Sequence, residues 1–236
     1  MPLAERPFHK IVIIPYVTRP YPFAAVLFDL DGVLIDTTEL HYRVWDEFAR
    51  AKGFIPSREQ LLATNGRRGD ETLRVWFGPG LSDLQITAMT ADREMYFNRL
   101  LKAEPLPAIP GATEFVRAMS RAGVPMGVAT SATPENARLS LLRIGLDGVF
   151  GAVITAADVA NGKPNPEPYL KAADALGVRA TDCLVIEDSV SGIRAAKAAG
   201  ARCLALATTF PREILAAQAP DWVVDRFADI PAELRP

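Results

Sequence analysis

Hydrophobic and polar positions along the chain follow three successive patterns. From 24 to 28 the residues Ala-Ala-Val-Leu-Phe are apolar without alternation, as in a strand covered on both faces. Between 37 and about 104 the period is helical throughout and predicts four helices: 38–52 ending at Gly53, 57–64, 70–77 ending at Gly78, and 82–103 opened by the capping residues Ser82 and Asp83. After Gly111 helix and strand alternate, with helices at 112–122, 134–144, 166–176, 190–199 and 211–217 and strands at 125–130, 152–155, 183–187, 202–206 and 222–224. Such alternation implies right-handed crossovers and a mostly parallel sheet covered on both faces, to which the early strand also belongs.

The expected fold class is therefore α/β: a doubly wound, mostly parallel sheet core with an inserted all-helical cap. Its boundaries are 23–36 and 106–236 for the core and 37–105 for the cap. Residues 1–22 form an N-terminal extension whose five prolines exclude a helix and permit at most an edge strand on the surface. Because the insertion leaves the C-terminal end of the first strand, where open α/β sheets bind ligands, it is placed as a lid hinged near 36 and 105–110.

Composition narrows the picture. With 236 residues and 49% hydrophobic content the chain can fill a sizeable interior. A formal charge of -2 leaves no footprint for nucleic acid or an anionic membrane. Cys183 and Cys203 sit in apolar strand-like runs, which makes them buried thiols and suits a reducing cytoplasm. No apolar run approaches a membrane span, and residues 11–14 are too short and too proline-flanked for a signal-peptide core.

The candidate chemistry lies at the strand ends. Alternation on an extended chain points Asp29 and Asp31 to the same side, where their charges repel unless a cation lies between them; a divalent metal answers this. Gly32 allows a tight turn, and Asp36-Thr37 opens the next helix. The second strand ends in Thr130-Ser131-Ala132-Thr133 before Pro134, offering hydroxyls and helix-terminal N–H groups suited to a phosphate, with Thr133 also read as an ordinary cap. Lys163 stands in Asn161-Gly-Lys-Pro-Asn-Pro-Glu-Pro168, restrained by Pro164 and Pro166 and with a bond to Pro164 open to the cis form. Strand four ends in a second acidic pair, Glu187-Asp188, whose Asp188 also reads as a helix N-cap. Several carboxylates, one lysine and one hydroxyl suit Mg²⁺ plus a substrate phosphate.

These motifs, taken in order, resemble the haloacid dehalogenase superfamily, in its β-phosphoglucomutase-like phosphatase branch with a Rossmann-like core and a helical cap. The resemblance covers about 24–230 and rests on Asp29-Leu-Asp-Gly-Val-Leu-Ile-Asp-Thr37, Thr130-Ser131, Gly162-Lys-Pro-Asn-Pro-Glu-Pro-Tyr169 and Val185-Ile-Glu-Asp-Ser-Val-Ser-Gly-Ile-Arg-Ala-Ala196. It implies Asp29 as the nucleophile forming an aspartyl-phosphate and Asp31 as general acid and then base. It implies Thr130 and Lys163 on phosphoryl oxygens, Ser131 beside them, and Mg²⁺ held by Asp29, the Asp31 carbonyl, Glu187 and Asp188. In the cap it points to His41, near the general acid, and to Gly66 and Arg68 in a substrate-reading loop that also contains Arg67.

Two departures separate the chain from the mutases of that branch. Ala132-Thr133-Pro134 replaces their Ser-Lys-Asn phosphate grip, and Asp92 or Arg93 falls where they carry a cap lysine. The expectation is a Mg²⁺-dependent phosphatase, monomeric or weakly dimeric, acting on a small phosphorylated metabolite such as a sugar or polyol phosphate. Its rivals are β-phosphoglucomutase and a phosphoryl-accepting signalling receiver, which needs neither a cap nor the second aspartate.

Overall fold

The structure is a computed structural model and describes residues 21–64, 69–103 and 106–236. Six strands, β1 (Ala25–Phe28), β2 (Met126–Ala129), β3 (Ala152–Ile154), β4 (Cys183–Glu187), β5 (Arg202–Leu206) and β6 (Trp222–Val224), form one sheet in the order β3-β2-β1-β4-β5-β6. All five pairings are parallel. The order reverses between β1 and β4, and an open sheet leaves its ligand crevice at the C-terminal end of such a reversal. The register pairs Phe28 with Ile186 and so brings the residues after β1 beside Glu187, the last of β4.

Both faces of the sheet are covered, which is why β1 and β4 read as unbroken apolar runs. Val26, Phe28, Leu184 and Ile186 face a cluster with Phe115 and Val116 of α5 (Ala112–Arg121) and Ala137 and Leu141 of α6 (Pro134–Arg143). Ala25, Leu27, Cys183 and Val185 face the opposite layer, supplied by α7 (Glu167–Ala175) and α8 (Val190–Ala198). That layer is rich in alanine. Both cysteines are buried and free. The short helix α9 (Arg212–Ala216) completes the core.

The block between β1 and α5 is helical: α1 (Thr38–Ala51), α2 (Arg58–Leu62), α3 (Gly69–Phe77) and α4 (Asp83–Ala103). Leu40, Val44 and Phe48 fall on one stripe of α1 at helical spacing and meet α4 through Phe97, Leu100 and Leu101 and through Tyr96. Trp45, Phe48, Leu73 and Trp76 make a second, aromatic cluster with edge-to-face contacts. The base of α4 is tied to α6: Asn136 donates to Asn98 at 2.6 Å, Lys102 pairs with Glu135 at 2.7 Å, and Arg143 donates to the carbonyls of Leu101 and Lys102. Among the described residues no helix is long and apolar enough to cross a membrane.

Local chemistry explains where the elements begin. Ser57 and Gln60 close a capping box on α2, and Thr133 accepts from Asn136 with Pro134 in the first turn of α6. Thr37 occupies the N-cap of α1 without a side-chain cap bond; the backbone N–H of Thr38 donates to Asp36 instead, at 3.0 Å. The surface placement of the N-terminal extension is corrected at Tyr21, which is 5% exposed in the core cluster and donates its hydroxyl to the Leu234 carbonyl. Residues 1–20 lie outside the described residues.

Phe28 meets Phe115 and Phe150 edge-on at centroid distances of 6.3 and 5.9 Å. Phe28→Ala is expected to cost about 3–5 kcal/mol by the loss of a fully buried ring and the cavity it leaves. The midpoint of urea unfolding, at unchanged slope, measures this.

Candidate active site

The Asp29 amide still pairs with the Ile186 carbonyl at 3.0 Å, so its side chain emerges at the very end of the sheet. Beyond it the chain turns. Leu30 is buried, Asp31 bridges to Ile35, and Gly32 takes a positive φ of 76°. A Cβ at Gly32 would lie 1.9 Å from Asp188 Oδ2 and 2.5 Å from Thr209 Oγ1, so only glycine lets this turn close against the β4 and β5 loops. Asp31 faces the same cavity as Asp29, as expected, but a bend at Leu30 and the tight turn rather than strand alternation place it there. Asp29, Glu187 and Asp188 each bring one carboxylate oxygen within 4.8 Å of the others, and the Asp31 carboxylate is not in that cluster.

Lys163 ties the acids together. Its ammonium is 2.7 Å from Asp29 Oδ1 and 2.6 Å from Glu187 Oε1, and its side chain is 6% exposed. The loop carrying it has a cis Lys163–Pro164 bond. Glu187 is wholly buried: Oε1 also accepts from the Tyr169 hydroxyl at 2.7 Å, and Oε2 accepts from Asp188 N, Ser189 N and Ser189 Oγ, each at 3.0 Å. The α8 N-cap is Ser189, which accepts from Gly192 N at 3.0 Å. This corrects the reading of Asp188 as the cap and leaves its carboxylate to the site.

Three buried carboxylates around one ammonium are not neutral. Burial, then the charges of Glu187 and Asp31, push Asp29 up to about 7 against the pull of Lys163. Burial, then Glu187 and Asp29, raise Asp188 well above the ordinary carboxylate range. Burial also raises Asp31, opposed by a hydrogen bond from Thr37. Burial opposes the charge on Lys163 but is outweighed by Asp29 and Glu187, which raise it; Glu187 is lowered because Lys163 and the hydrogen bonds outweigh its burial. The oxygen-only donor set and the excess negative charge fit a hard divalent cation.

Above these groups lies a cavity of about 380 Å³ with Asp29, Asp31 and Asp188 in its floor and His41, Trp45 and Arg93 in its roof. Arg93 stacks over Trp45 at 4.9 Å, and His41 stacks on Phe97 at 5.1 Å. Desolvation, then the charge of Arg93, lowers His41 to about 4 and leaves it neutral at physiological pH. Thr130 is 4% exposed and its hydroxyl accepts from Ala132 N at 3.0 Å. Ser131 is exposed, and neither it nor Thr130 lines the cavity. Gly66, Arg67 and Arg68 lie outside the described residues.

Sequence reasoning missed Tyr169, Thr209, Thr37 and Trp45. Tyr169 stood inside a quoted motif, yet nothing in its spacing showed that a phenol reaches Glu187. Thr209 follows β5, whose end carries no acid to attract notice, although its hydroxyl bonds to Asp188. Trp45 was legible only as an apolar position one turn after His41.

A parallel α/β sheet with buried carboxylates and one lysine at its reversal, under a helical cap, is a capped Rossmann-like core with a polar site at its strand ends. A family model for haloacid dehalogenase-like hydrolases matches residues 23–200, and the chain belongs to that family, in the β-phosphoglucomutase-like branch. It is 32% identical over 200 residues to validoxylamine A 7'-phosphate phosphatase of Streptomyces hygroscopicus subsp. limoneus, covering 82% of this chain and 90% of that one. It is 34% identical over 182 residues to hexitol phosphatase A of Escherichia coli, covering 76% and 81%. A mutant of CbbY from Rhodobacter sphaeroides, solved in complex with xylulose-(1,5)bisphosphate, superposes with a TM-score of 0.73 at 28% identity, covering 91% of this chain and 100% of that one. The protein is a phosphoric monoester hydrolase for a small phosphorylated metabolite.

A Cβ at Gly192 would stand 1.7 Å from Glu187 Oε1, so the carboxylate occupies space only a glycine leaves open. Gly192→Ala is expected to cost at least about 1–3 kcal/mol by overpacking and to remove most activity by displacing Glu187 and, with it, Lys163. Urea unfolding and phosphate release measured on the same preparation check both.

Proposed function

We propose that the protein hydrolyses a sugar or polyol phosphate through an aspartyl-phosphate on Asp29, with Mg²⁺ as cofactor. The observation that carries this reading is the Lys163 ammonium bridging Asp29 and Glu187 beside Asp188, with Asp29 and Asp188 lining the cavity under the cap. Asp29 is the group at the strand end with one oxygen steadied by the lysine and the other available to attack phosphorus. Attack forms the Asp29–phosphorus bond and breaks the bond to the leaving oxygen, which takes the proton of Asp31. Asp31 then accepts a proton from water as the water oxygen attacks phosphorus, Asp29 leaves and inorganic phosphate is released. Burial raises Asp31, which favours the protonated form the first step needs.

Lys163 has two of its three N–H groups engaged, and the third is assigned to a phosphoryl oxygen. Thr130 accepts from Ala132 N, and its own O–H is assigned to a second phosphoryl oxygen. Asp29, Asp188 and the Asp31 carbonyl are assigned as the protein ligands of Mg²⁺. Glu187, expected among them, is assigned to holding Lys163, because five donors already occupy its two oxygens. Bound Mg²⁺ would supply the charge that keeps Asp29 ionised and polarises the phosphoryl group.

The roof suits a hydroxylated body. His41 is neutral, and the Arg93 guanidinium, held over Trp45, has only the neighbouring Glu94 at 3.7 Å as ion-pair partner among the described residues. The names of the relatives point the same way, to validoxylamine A 7'-phosphate and to hexitol phosphates. Two buried free thiols fit a cytoplasmic setting.

Asp29→Asn is expected to lose at least about 10³-fold in turnover, and Asp31→Asn about 10² to 10⁴. Chelation should abolish activity, and inorganic phosphate rather than an isomerised sugar phosphate should be the product in a screen of sugar, polyol and nucleotide monophosphates. Phosphate release by Asp29→Asn at the native rate would sink the assignment.

Cation binding should also depend on pH in a definite direction. With its carboxyl raised to about 7, Asp29 contributes stability that is present below the ordinary carboxylate value of 3.8 and lost as pH rises through 7. Mg²⁺ answers the charge that appears over that range. It is therefore expected to raise the melting temperature more at pH 8 than at pH 5, as read by calorimetry; an equal rise at both would exclude Asp29 from the site.

A further inference from the structure

Tyr169 is the largest wholly buried side chain among the described residues. It comes from the first turn of α7 and reaches two members of the strand-end site at once. Its hydroxyl donates to Glu187 Oε1 at 2.7 Å, the same oxygen that accepts from Lys163 at 2.6 Å. Its ring face lies under the same ammonium, with Lys163 Nζ 4.9 Å from the centroid. A tyrosine serving only to fill the core would spend its hydroxyl on any nearby acceptor. This one places both its polar and its π-face contacts on one carboxylate–lysine pair.

We propose that Tyr169 is a positioning residue for Lys163, acting through Glu187. The inference rests on the phosphoryl-site reading given above. The argument is one of shared demand. Glu187 Oε1 is buried away from water and accepts from two donors. With the phenol in place, part of its acceptor capacity is satisfied by a neutral group, and the ammonium is shared with Asp29 at 2.7 Å. Without the phenol, Lys163 is left as the sole donor to that oxygen. The ammonium then shifts toward Glu187, away from Asp29 and from the phosphoryl oxygen its third N–H serves. The ring adds a floor: an ammonium over an aromatic face is attracted to it, and the face keeps that side of Lys163 free of water. Tyr169 touches neither substrate nor Asp29 and works by setting where the lysine charge stands.

The test is a double-mutant cycle read by orthovanadate affinity, which reports on phosphoryl binding without turnover. Dissociation constants are measured by calorimetry in Mg²⁺ for the native protein, Tyr169→Phe, Lys163→Ala and the double variant, with melting temperatures for each. Tyr169→Phe should weaken vanadate about tenfold in the native background and less than twofold in the Lys163→Ala background. It should lower kcat in proportion while leaving KM within about threefold. Tyr169→Met, which removes the ring face as well, should weaken vanadate further. Equal weakening in both backgrounds assigns Tyr169 a structural role and overturns the proposal, as does native affinity in Tyr169→Phe or failure of both Tyr169 variants to fold. Native vanadate affinity in Lys163→Ala would instead sink the phosphoryl-site reading, and this inference with it. Collapse in Lys163→Ala beside an indifferent Tyr169→Phe overturns this inference alone.

Discussion

The ion pairs of Lys163 with Asp29 and Glu187 are the contact on which the strand-end arrangement depends. Each joins elements far apart in sequence: a loop after β3, the end of β1 and the end of β4. Removing water from three carboxylates is costly, and one lysine offsets only part of that cost. The remainder shows in the upward displacement of Asp29 and Asp188. The protein holds this charge on strands that are buried on both faces and paired along their length. Two glycines complete the arrangement. Gly32 and Gly192 are the points at which any side chain would collide with Asp188 or Glu187.

The cap depends on the core in a different way. Its own interior is aromatic and separate from the sheet, and its long helix is fastened at the base by Asn136, Glu135 and Arg143 of α6. Arg93, one of the residues that roof the cavity, lies more than a helical turn along α4 from that fastening. We propose residues 37–105 as a unit that moves about this anchored end. Small rotations at the base of α4 then become larger displacements over the site, which gives a lid range without disturbing the floor.

Most of the fold was legible because its two periodicities are clean. β1 is an uninterrupted apolar run and β4 and β5 are apolar but for one end residue, while α6 and α8 begin at capping residues and α5 to α8 stop just before glycines, so the observed elements differ from the expected ones by a residue or two at their ends. The floor of the site was legible for a related reason: charged residues at the end of a fully buried strand have few structural explanations. What escaped depended on contacts between distant segments. Asp31 lies where a turn, not a strand, puts it. The cap role passed from Asp188 to Ser189 because both residues have capping side chains and only the geometry of Gly192 N decides between them. Tyr169 and Thr209 act on Glu187 and Asp188 from other elements, and no local pattern announces such a contact.

The charges arranged around the cavity favour one orientation of substrate. Asp29, Glu187 and Asp188 ionised carry three negative charges, Lys163 returns one, and a divalent cation at the cluster would return two, bringing the floor to neutrality. A neutral Asp31, favoured by its raised carboxyl, adds nothing, and His41 is uncharged. At the roof the charge of Arg93 is offset by the neighbouring Glu94 at 3.7 Å, so the positive charges of Lys163 and of a bound cation would be concentrated at the floor. On the proposed reading a phosphate monoester dianion would find its strongest partners at the floor, where Lys163 and a cation held by the acidic cluster would act together. Arg93 is a single cation, already stacked on Trp45 and beside Glu94, and competes poorly for the dianion while remaining a good donor to hydroxyls. On the proposed reading, this asymmetry would turn the phosphoryl group down toward Asp29 and the body of the substrate up toward the cap, so that discrimination among substrates would fall to the roof and the chemistry to the floor.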